Sequence, residues 1–309
     1  MRPNCPTVAA MLLKSARALA LSLSLVTATL ALAQPLASTA SINPDPSQLP
    51  ATSRVASFNV LGDSHTRAGR KAAMGSGVER MRRTVKILDK REVDLVGFQE
   101  MQRVQVQEFL RLRTTEWGIY PGLVLSPRDG ENTIAWRRSV WTLVEVATQS
   151  IPYFNGRTRE MPILLLQHNA TGEQVYVMNV HNPATNRRVG NQDSWRDQAM
   201  GIEAAKVNEM KAASSVPILV LGDMNEREDV FCYFGQQARL RAANGAGYQA
   251  NAKGCLPPPR PIAVDWIFGT KDVAFSDYAA LRTQRIERTT DHPVIVATAT
   301  LPVPVSGKR

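Results

Sequence analysis

The sequence predicts an α/β fold in which mixed β-sheets pack face to face with helices outside. Three strand-like segments follow helical segments, and two other strands are joined by the hairpin loop 169–173. This combination fits neither a purely parallel sheet nor a sandwich made only of hairpins. The chain has 309 residues with 44% hydrophobic and 21% charged content, which is typical of a globular protein with one large or two small domains.

Apolar spacing places the individual elements. Met81, Val85 and Leu88 recur at helical spacing and predict a helix over 78–91. Similar patterns predict helices over 104–112 and 194–213. Alternating or short apolar runs predict strands over 55–61, 94–99, 133–136, 140–146, 163–168, 174–180, 217–221, 263–268 and 293–299.

The first 33 residues have the pattern of a secretory signal peptide. Residues 1–17 contain three basic residues and no acid, residues 18–33 are apolar, and Ala31-Leu32-Ala33 resembles a cleavage site. An uncleaved membrane anchor is the alternative, but the apolar run of 16 residues is shorter than the roughly 20 that a spanning helix needs. We therefore expect cleavage near Ala33 and secretion to the extracellular space or the periplasm.

The remaining boundaries follow from composition. Residues 34–53 are rich in Pro, Ser, Ala and Thr and predict a flexible leader, residues 54–302 the domain, and residues 303–309 a short tail. Cleavage lowers the formal charge from +10 to +7, because it removes Arg2, Lys14 and Arg17. A basic exported protein favours nucleic acid or an anionic lipid surface as partner, although the charge is equally explained by solubility. Nothing in the sequence indicates a protein partner, and we expect a monomer.

Cleavage also removes Cys5 and leaves Cys232 and Cys255. Two cysteines in an exported chain favour a disulfide, which would close a loop of about 24 residues and stabilise the protein by about 3 kcal/mol. A pair of metal-ligating cysteines is the alternative. It is disfavoured because no Cys or His neighbours occur at the spacing of a zinc site.

Six hydrophobic runs end in carboxylate, amide or imidazole side chains, although a core strand needs none of these for packing. The six are Ser57-Phe58-Asn59, Gly97-Phe98-Gln99-Glu100, Asn179-Val180-His181, Gly222-Asp223-Met224-Asn225, Val264-Asp265-Trp266 and Thr290-Asp291-His292-Pro293. We expect several strands to deliver these groups to one rim of a sheet. Such an inventory suits a hard divalent metal and phosphoryl chemistry.

Each ending also has a structural explanation. Asp223 can form an Asx-type turn after its strand, and Glu100 can be the first-turn acid of the next helix. His292 can lie in a surface turn, and His181 can be either an exposed strand end or a general acid. An amide facing a core, as predicted for Asn59, must be satisfied, and a carboxylate or a hydrated metal would satisfy it.

Taken together, the set resembles the endonuclease/exonuclease/phosphatase superfamily over residues 54–300. The resemblance lies in the order Asn59, Glu100, Arg159, His181, Asp223 with Asn225, Asp265, and Asp291 with His292. That superfamily includes pancreatic-type deoxyribonucleases, repair nucleases, neutral sphingomyelinases and inositol polyphosphate 5-phosphatases. The resemblance implies a four-layer α/β/β/α sandwich of two packed mixed sheets.

The resemblance also implies a metal and phosphate site. Glu100 would bind the catalytic Mg²⁺, with Asn59 and Asp291 supporting the metal site. Mn²⁺ is an alternative catalytic ion and Ca²⁺ a candidate structural one. Arg159 would lie near the phosphate. Asn225 would both bind phosphate and take part in catalysis beside the attacking water.

The catalytic roles implied by the resemblance fall on four residues. Asp223 would orient or deprotonate the attacking water. His292 would bind the scissile phosphate and share the base role, oriented by Asp265. His181 would act as the acid toward the leaving oxygen, and Glu131 is a further candidate for orienting His181.

One departure and one agreement refine the resemblance. Repair-type members often carry an acid two residues after the first-strand Asn, whereas this chain has Leu61 there and Asp63 two residues further on. The departure and the export signal both argue against a role in abasic-site repair. Pancreatic-type deoxyribonucleases have a disulfide in a similar location, which implies that Cys232 pairs with Cys255.

Three functions remain open at this stage. The leading one is a secreted, Mg²⁺-dependent nuclease that acts on extracellular DNA, with RNA as a further substrate. Its basic segments 67–71, 80–83 and 187–188 would contact backbone phosphates. The alternative is that these segments form a solvated face. The second is a sphingomyelinase-like phospholipid or small phosphoester hydrolase, and the lipid enzyme would need an exposed aromatic segment at 153–154 or 231–234. The third is a non-catalytic scaffold, which is disfavoured because idle polar groups cost stability.

Overall fold

The computed structural model describes residues 49–251 and 254–302. The expected signal peptide, the expected leader up to residue 48 and the expected tail lie outside these residues. Thr52 and Ser53, which were assigned to the leader, already belong to the first strand. Within the described ranges, no helix is long and apolar enough to span a bilayer.

Fourteen strands and five α-helices are present in the described residues. The strands are β1 (Thr52–Asn59), β2 (Leu95–Gln99), β3 (Trp117–Tyr120), β4 (Thr133–Arg137), β5 (Trp141–Pro152), β6 (Thr158–His168), β7 (Gln174–His181), β8 (Ile218–Asp223), β9 (Arg241–Ala242), β10 (Ala250–Asn251), β11 (Gly254–Cys255), β12 (Asp265–Gly269), β13 (Ala274–Leu281) and β14 (Val294–Thr300). The helices are α1 (Gly77–Lys90), α2 (Arg103–Arg113), α3 (Asp193–Ala213), α4 (Glu228–Tyr233) and α5 (Gln284–Glu287). Every predicted helix and strand is present, with ends shifted by a few residues.

The strands build two six-stranded mixed sheets. The first has the order β13-β14-β1-β2-β4-β3, and its one parallel pair is β1 with β2. The second has the order β5-β6-β7-β8-β12-β9, and its one parallel pair is β7 with β8. Each parallel pair needs a crossover, which α1 provides in the first sheet and α3 in the second. A separate two-stranded ribbon joins β10 to β11.

Three apolar layers separate four layers of structure. One layer packs α1 and α2 on the first sheet and contains Phe58, Met81, Phe98 and Phe109. A middle layer lies between the sheets and contains Val55, Leu95, Leu164 and Leu219. The third packs α3 and α4 on the second sheet and contains Val180, Val207, Val220 and Phe231. The predicted four-layer α/β/β/α sandwich is therefore confirmed.

A buried amide pair joins the two sheets near the ends of their parallel strands. Gln99 Nε2 donates to Asn179 Oδ1 at 2.7 Å, and Asn179 Nδ2 donates to the carbonyl of Phe98 at 2.8 Å. A Cβ on Gly97 would lie 2.5 Å from Asn179 Oδ1, so only glycine allows this close approach. Because both amides are fully buried and their N–H groups are hydrogen-bonded, they fix the relative position of the strand ends that carry the polar residues.

The disulfide between Cys232 and Cys255 is present, with a Cα–Cα distance of 5.6 Å. It links α4 to β11, which are both part of the connection between β8 and β12. The pairing implied by the family resemblance is therefore confirmed, and the alternative of two metal-ligating cysteines is excluded in this structure.

Candidate active site

The predicted site residues converge where strands of both sheets end. In the first sheet, β1 ends at Asn59 beside Gln99 of β2, and Glu100 follows directly. In the second sheet, His181 lies opposite Asp223 at the ends of β7 and β8. Because the carboxyl ends of parallel strands meet at one edge, the two sheets present these side chains to one cleft.

Asp223 lies at the centre of the cluster and is 1% exposed. Asn59 Nδ2 donates to its Oδ2 at 3.0 Å, and the backbone N–H of Asn225 donates to its Oδ1 at 2.9 Å. Burial raises the pKa of Asp223, and the neighbouring carboxylate of Asp265 raises it further, while two nearby imidazoles act in the opposite direction. A carboxylate with a raised pKa accepts a proton more readily near neutral pH, which suits a general base.

His292 and Asp265 form a buried pair beside Asp223. His292 Nδ1 lies 3.0 and 2.9 Å from the two carboxylate oxygens of Asp265 and 3.7 Å from Asp223 Oδ2. Burial alone would lower the pKa of His292, but the hydrogen bond to Asp265 and the charges of both aspartates raise it to about 10. His292 is therefore an imidazolium at neutral pH. Burial raises the pKa of Asp265, and the bond to His292 opposes that effect.

His181 has the opposite protonation state. Its Nε2 lies 3.6 Å from Asp223 Oδ2 and its Nδ1 lies 3.5 Å from the Tyr153 hydroxyl. Burial lowers the pKa of His181 more than the charges of Asp223 and Glu100 raise it, so the ring is neutral at pH 7. The sequence hypothesis made His181 the acid and gave His292 a share of the base role. The pKa shifts instead make His292 the cationic ring of the pair and His181 the neutral one.

Glu100 is the ionised carboxylate of the cleft. Its Oε1 accepts a hydrogen bond from Asn59 Nδ2 at 3.0 Å, and its Oε2 accepts one from the backbone N–H of Gly62 at 2.9 Å. Burial would raise the pKa of Glu100, but the nearby His181 imidazole, which is itself neutral at pH 7, and these hydrogen bonds lower it to about 2. With 21% of its side chain exposed, Glu100 presents a full negative charge to the cleft.

Arg159 supplies a fixed positive charge from β6. Its guanidinium donates to the carbonyl of Arg128, lies 3.3 Å from Glu131 Oε2 and stacks 4.7 Å from the ring centroid of Tyr153. Glu131 therefore contacts Arg159 rather than His181, which it was expected to orient.

A cavity of about 570 Å³ opens over these groups. Glu100, Asp223 and the two histidines line its floor, and Arg159 lines its wall together with two further arginines, Arg157 and Arg188. Guanidinium and imidazolium groups bind phosphate oxygens, and a buried carboxylate accepts protons. The cavity therefore has the chemistry needed to bind and hydrolyse a phosphate ester.

Comparison with known proteins decides the family. A profile of the Endonuclease/Exonuclease/phosphatase family matches residues 56–292, which is more than half of the chain. The chain belongs to this family.

Solved structures agree with the family assignment. An endonuclease/exonuclease/phosphatase family protein from Bacteroides thetaiotaomicron is 15% identical, with a TM-score of 0.64 over 82% of this chain and 100% of that one. The human Nocturnin catalytic domain with bound sulfate is 17% identical, with a TM-score of 0.61 over 82% and 95%. D. rerio TDP2 complexed with a single-strand DNA product is 21% identical, with a TM-score of 0.57 over 80% and 98%. These identities support the fold alone. No curated protein matches the chain.

The family resemblance implied that Asn59 and Asp291 support the metal site. Both side chains make other contacts in the structure. Asn59 donates one N–H to Glu100 and the other to Asp223, while its Oδ1 accepts from the backbone of Leu61 at 3.0 Å. Asn59 therefore bridges the carboxylates of Glu100 and Asp223. Asp291 is ion-paired with Lys71 and does not line the cavity. Because the carboxylate of Asp291 already pairs with Lys71, it does not join Glu100 in the cavity.

Asn225 lines the cavity as expected but is partly committed. Its backbone has a φ of 48°, and its Nδ2 donates to the carbonyl of Asn182 at 2.8 Å. One amide N–H is left for a phosphate oxygen. The backbone N–H of Asn225 thus donates a hydrogen bond to Asp223, while its side chain lies at the substrate cavity.

A buried acid that sequence analysis missed lies behind Asn225. Glu203 on α3 is fully buried and accepts a hydrogen bond from Asn182 Nδ2 at 3.3 Å. Burial raises the pKa of Glu203 to about 8, so its carboxyl group is neutral at pH 7. The signal was present in the sequence, because Glu203 lies four residues from both Ala199 and Val207 on the apolar face of the helix.

Two aromatic or imidazole side chains of the cavity were also missed or misassigned. Tyr153 contacts both His181 and Arg159, although the sequence suggested only a membrane-facing or a packing role for it. His65 lies with its Nε2 3.4 Å from Glu100 Oε2 and lines the cavity. No motif marked His65, which occupies a loop position without apolar periodicity.

Most of the basic segments have partners within the protein. Arg80 is fully buried and donates to backbone carbonyls, and Arg82 pairs with Glu108. Lys71 pairs with Asp291, as noted above. Of the basic residues in these segments whose side chains the structure describes, Arg188 is the one that lines the cavity. Among these segments, Arg188 is therefore the residue placed to contact a phosphate in the cavity.

The donors present fit a divalent metal ion, as is typical of this family. Asp223, Asp265 and His292 each place one potential ligand atom within 4.8 Å of the others, although His292 can coordinate a metal only when its ring is neutral. Glu100 adds an ionised carboxylate whose oxygens each keep one lone pair after their hydrogen bonds. Carboxylate oxygens are the ligands that hard divalent cations prefer, and mutually repelling buried acids are stabilised by a cation.

Proposed function

We propose that this protein is an exported, Mg²⁺-dependent phosphodiesterase that hydrolyses nucleic acid, with DNA as the leading substrate and RNA as a further one. The observation that carries the proposal is the cavity in which ionised Glu100, buried Asp223, the His292 imidazolium and Arg159 face one another. Phosphodiester hydrolysis needs these parts: a proton acceptor for water, cationic donors for the phosphate, and a place for a metal ion.

Binding of the scissile phosphate falls to the cationic side chains. Arg159 is held in place by Glu131 and by Tyr153, so little entropy is lost when it engages a phosphate. The Nε2–H of the His292 imidazolium and the remaining N–H of Asn225 complete the set. A metal ion held by Glu100 would neutralise developing charge on the phosphate.

Proton transfer falls to Asp223 and the two histidines. Asp223 accepts the proton of the attacking water, because burial raises its pKa and two N–H donors fix its carboxylate. The His292 imidazolium, held by Asp265, stabilises the negative charge that develops on the phosphate oxygens. Neutral His181, held against Tyr153, lies near Asp223 and positions a water that gives a proton to the leaving oxygen as the P–O bond breaks.

The experiment is a hydrolysis assay on matched variants. The chain from Gln34 and its Asp223→Asn variant would be incubated with supercoiled plasmid and with a linear oligonucleotide, in Mg²⁺ and in EDTA. Cleavage that needs both Mg²⁺ and Asp223 supports the proposal. Asp272→Asn, which removes an exposed carboxylate, is the control and should cleave normally. Full activity of a folded Asp223→Asn variant would refute the assignment.

Export is a separate part of the proposal and rests on residues 1–33. Expression of the full chain should place active protein outside the inner membrane with an N-terminus near Gln34. A protein whose N-terminal sequence starts at Met1 would contradict cleavage.

The second candidate function is hydrolysis of a small phosphoester, and the loops on one side of the cavity favour this function. Gln192 is 1% exposed and joins two loops, because its Oε1 accepts from Asn155 N at 2.8 Å and its Nε2 donates to Asn155 Oδ1 at 3.1 Å. Phe154 and Arg188 on these loops close one side of the cavity. The similar structures also include a protein described as a mannosyl-6-phosphatase, from Bacteroides thetaiotaomicron. Release of phosphate from sugar phosphates, with plasmid left intact, would favour this candidate.

The lipid alternative loses three of the five aromatic side chains in its expected anchors, while Phe154 and Tyr233 are partly exposed. Phe231 and Phe234 are 2% and 0% exposed and belong to the core under α3, and Tyr153 is 7% exposed. These aromatic side chains are therefore unavailable to a membrane. Sphingomyelin vesicles still belong in the assay as a third substrate, since choline-phosphate release would reinstate the lipid function.

A further inference from the structure

His65 occupies a position that the proposed function leaves without a role. It lies in the 3₁₀ turn Asp63–Thr66 after β1, and its Nε2 points to Glu100 Oε2 at 3.4 Å. Half of its side chain is exposed, on the side that lines the substrate cavity together with Ser64 and Gln102. His65 is thus an accessible nitrogen donor directly beside the ionised carboxylate of the cleft.

The turn that carries His65 is held from behind. The guanidinium of Arg80, which is fully buried, donates to the carbonyls of Val60, Leu61 and Gly62 and lies 3.3 Å from Thr66 Oγ1. Five N–H donors in a rigid fork can fix several carbonyls at once. The loop therefore keeps its shape without an ion.

Two further contacts complete this support. Asp63 accepts from the backbone of Gly77 at 2.8 Å and pairs with Arg67 at 3.0 Å, so its carboxylate is turned away from Glu100. A Cβ on residue 62 would lie 2.9 Å from the His65 ring, so glycine at this position allows the ring to approach. The imidazole and not the nearby carboxylate is the group that the loop presents.

The spacing of the two donor atoms suits one ion. Glu100 Oε2 keeps a lone pair after accepting from Gly62. Two neighbouring ligands of an octahedral ion with bonds of about 2.1 Å are about 3.0 Å apart. The 3.4 Å between His65 Nε2 and Glu100 Oε2 is close to this value and is long for a strong hydrogen bond.

We propose that His65 Nε2 is a ligand of the ion held by Glu100, and that it gives the site a preference for first-row transition ions such as Mn²⁺ or Co²⁺ over Mg²⁺. Imidazole nitrogen is a poor ligand for Mg²⁺, which favours oxygen and water, but a good one for transition ions. This inference rests on the metal requirement of the proposed function. The inference adds to that function the class of metal ion that the protein selects.

Binding of Mn²⁺ to the purified protein tests the proposal without any substrate. Electron spin-echo spectroscopy of bound Mn²⁺ detects a coordinated imidazole nitrogen, and calorimetry gives the Kd for Mn²⁺ and for Mg²⁺. His65→Gln keeps an oxygen donor but removes the nitrogen. The control is His168→Gln, since His168 packs on Trp141 and contacts Thr171 on another part of the second sheet.

We expect a nitrogen signal in the unaltered protein and in His168→Gln, and none in His65→Gln. The Kd for Mn²⁺ should rise roughly 10- to 100-fold in His65→Gln, while the Kd for Mg²⁺ changes by less than about threefold. Glu100→Gln should weaken both ions, because it removes the ligand that they share.

Each other outcome is decisive. Bound Mn²⁺ without a nitrogen signal would overturn the role of His65 and leave the proposed metal site intact. A signal that persists in His65→Gln would assign the nitrogen to His181 or His292 instead. No binding of Mn²⁺ to the unaltered protein would overturn this inference and the metal requirement together.

Discussion

Replacement of Asp265 by Asn should convert His292 from an imidazolium into a neutral imidazole at pH 7. The asparagine Oδ1 can still accept a hydrogen bond from His292 Nδ1, so the geometry is kept and the negative charge is lost. In the unaltered protein, the hydrogen bond to Asp265 is the largest influence that raises the pKa of His292. Because the amide that replaces Asp265 carries no negative charge, the pKa of His292 should fall toward 6.5, the ordinary value for histidine.

The size of the effect follows from the two pKa values. Between 6.5 and about 10, at about 1.4 kcal/mol per pH unit, the imidazolium gains at most about 5 kcal/mol from its surroundings. Burial raises the pKa of Asp265, which offsets part of this gain. The Nδ1–Oδ distances of 2.9 and 3.0 Å place one proton on Nδ1 of His292, and the negative charge of Asp265 stabilises a second proton on Nε2.

The sign of the pH dependence is defined by the same shift. A folded pKa above the unfolded one stabilises the protein fully below about pH 6.5, and this stabilisation is lost as the pH rises toward 10. The stability difference between the unaltered protein and Asp265→Asn should therefore shrink across this window. The alkaline limb of the activity profile should move from near pH 10 to near neutrality in the variant.

The assay is a titration of the four histidines by NMR with labelled imidazole carbons. His→Gln variants assign each signal. One ring should stay protonated above pH 9 in the unaltered protein, and that ring should titrate near neutrality in Asp265→Asn. The reasoning fails if all four rings titrate below pH 8 in the unaltered protein, or if Asp265→Asn leaves the signal of His292 unmoved.

Three further outcomes are expected. Asp223→Asn should lower the hydrolysis rate at least 10²-fold while its circular dichroism and urea midpoint stay close to normal; a rate within threefold of the unaltered protein would contradict its role as base. Arg80→Met should destabilise the fold by about 3–5 kcal/mol in urea unfolding, because several buried carbonyls lose their donor, whereas Arg82→Met should cost less than about 1 kcal/mol. Reduction of the Cys232–Cys255 disulfide should cost about 3 kcal/mol, and unchanged unfolding in reductant would show that the loop is held by packing alone.

Much of the fold was predictable because its signals are local. The helix over 78–91 and the strand before Asp223 have uninterrupted apolar spacing, and both were found within one or two residues. β13 was not predicted, since it is an edge strand with mostly exposed residues and a bulge, so no apolar alternation marks it. Its strand conformation depends on pairing with β14, which sequence patterns do not report.

The site was predictable as a set of residues but not as a set of roles. Asp223 and His292 were recognisable from polar strand ends, yet their protonation depends on burial and on the charge of Asp265, which lies 42 residues after Asp223 and 27 residues before His292. The partner of Asp291 is Lys71, more than 200 residues earlier in the chain, and no local pattern reveals that ion pair. Residues that act through distant contacts are therefore the ones that sequence analysis misassigned.

The disulfide changes how Asp223 and Asp265 are connected. Cys232 lies nine residues after Asp223, and Cys255 lies ten residues before Asp265. The bond therefore offers a second covalent path that bypasses the segment between the cysteines. A protease that cut the chain between residues 233 and 254 would produce two fragments still joined beside the active site. The nicked protein would therefore keep both acids on one molecule.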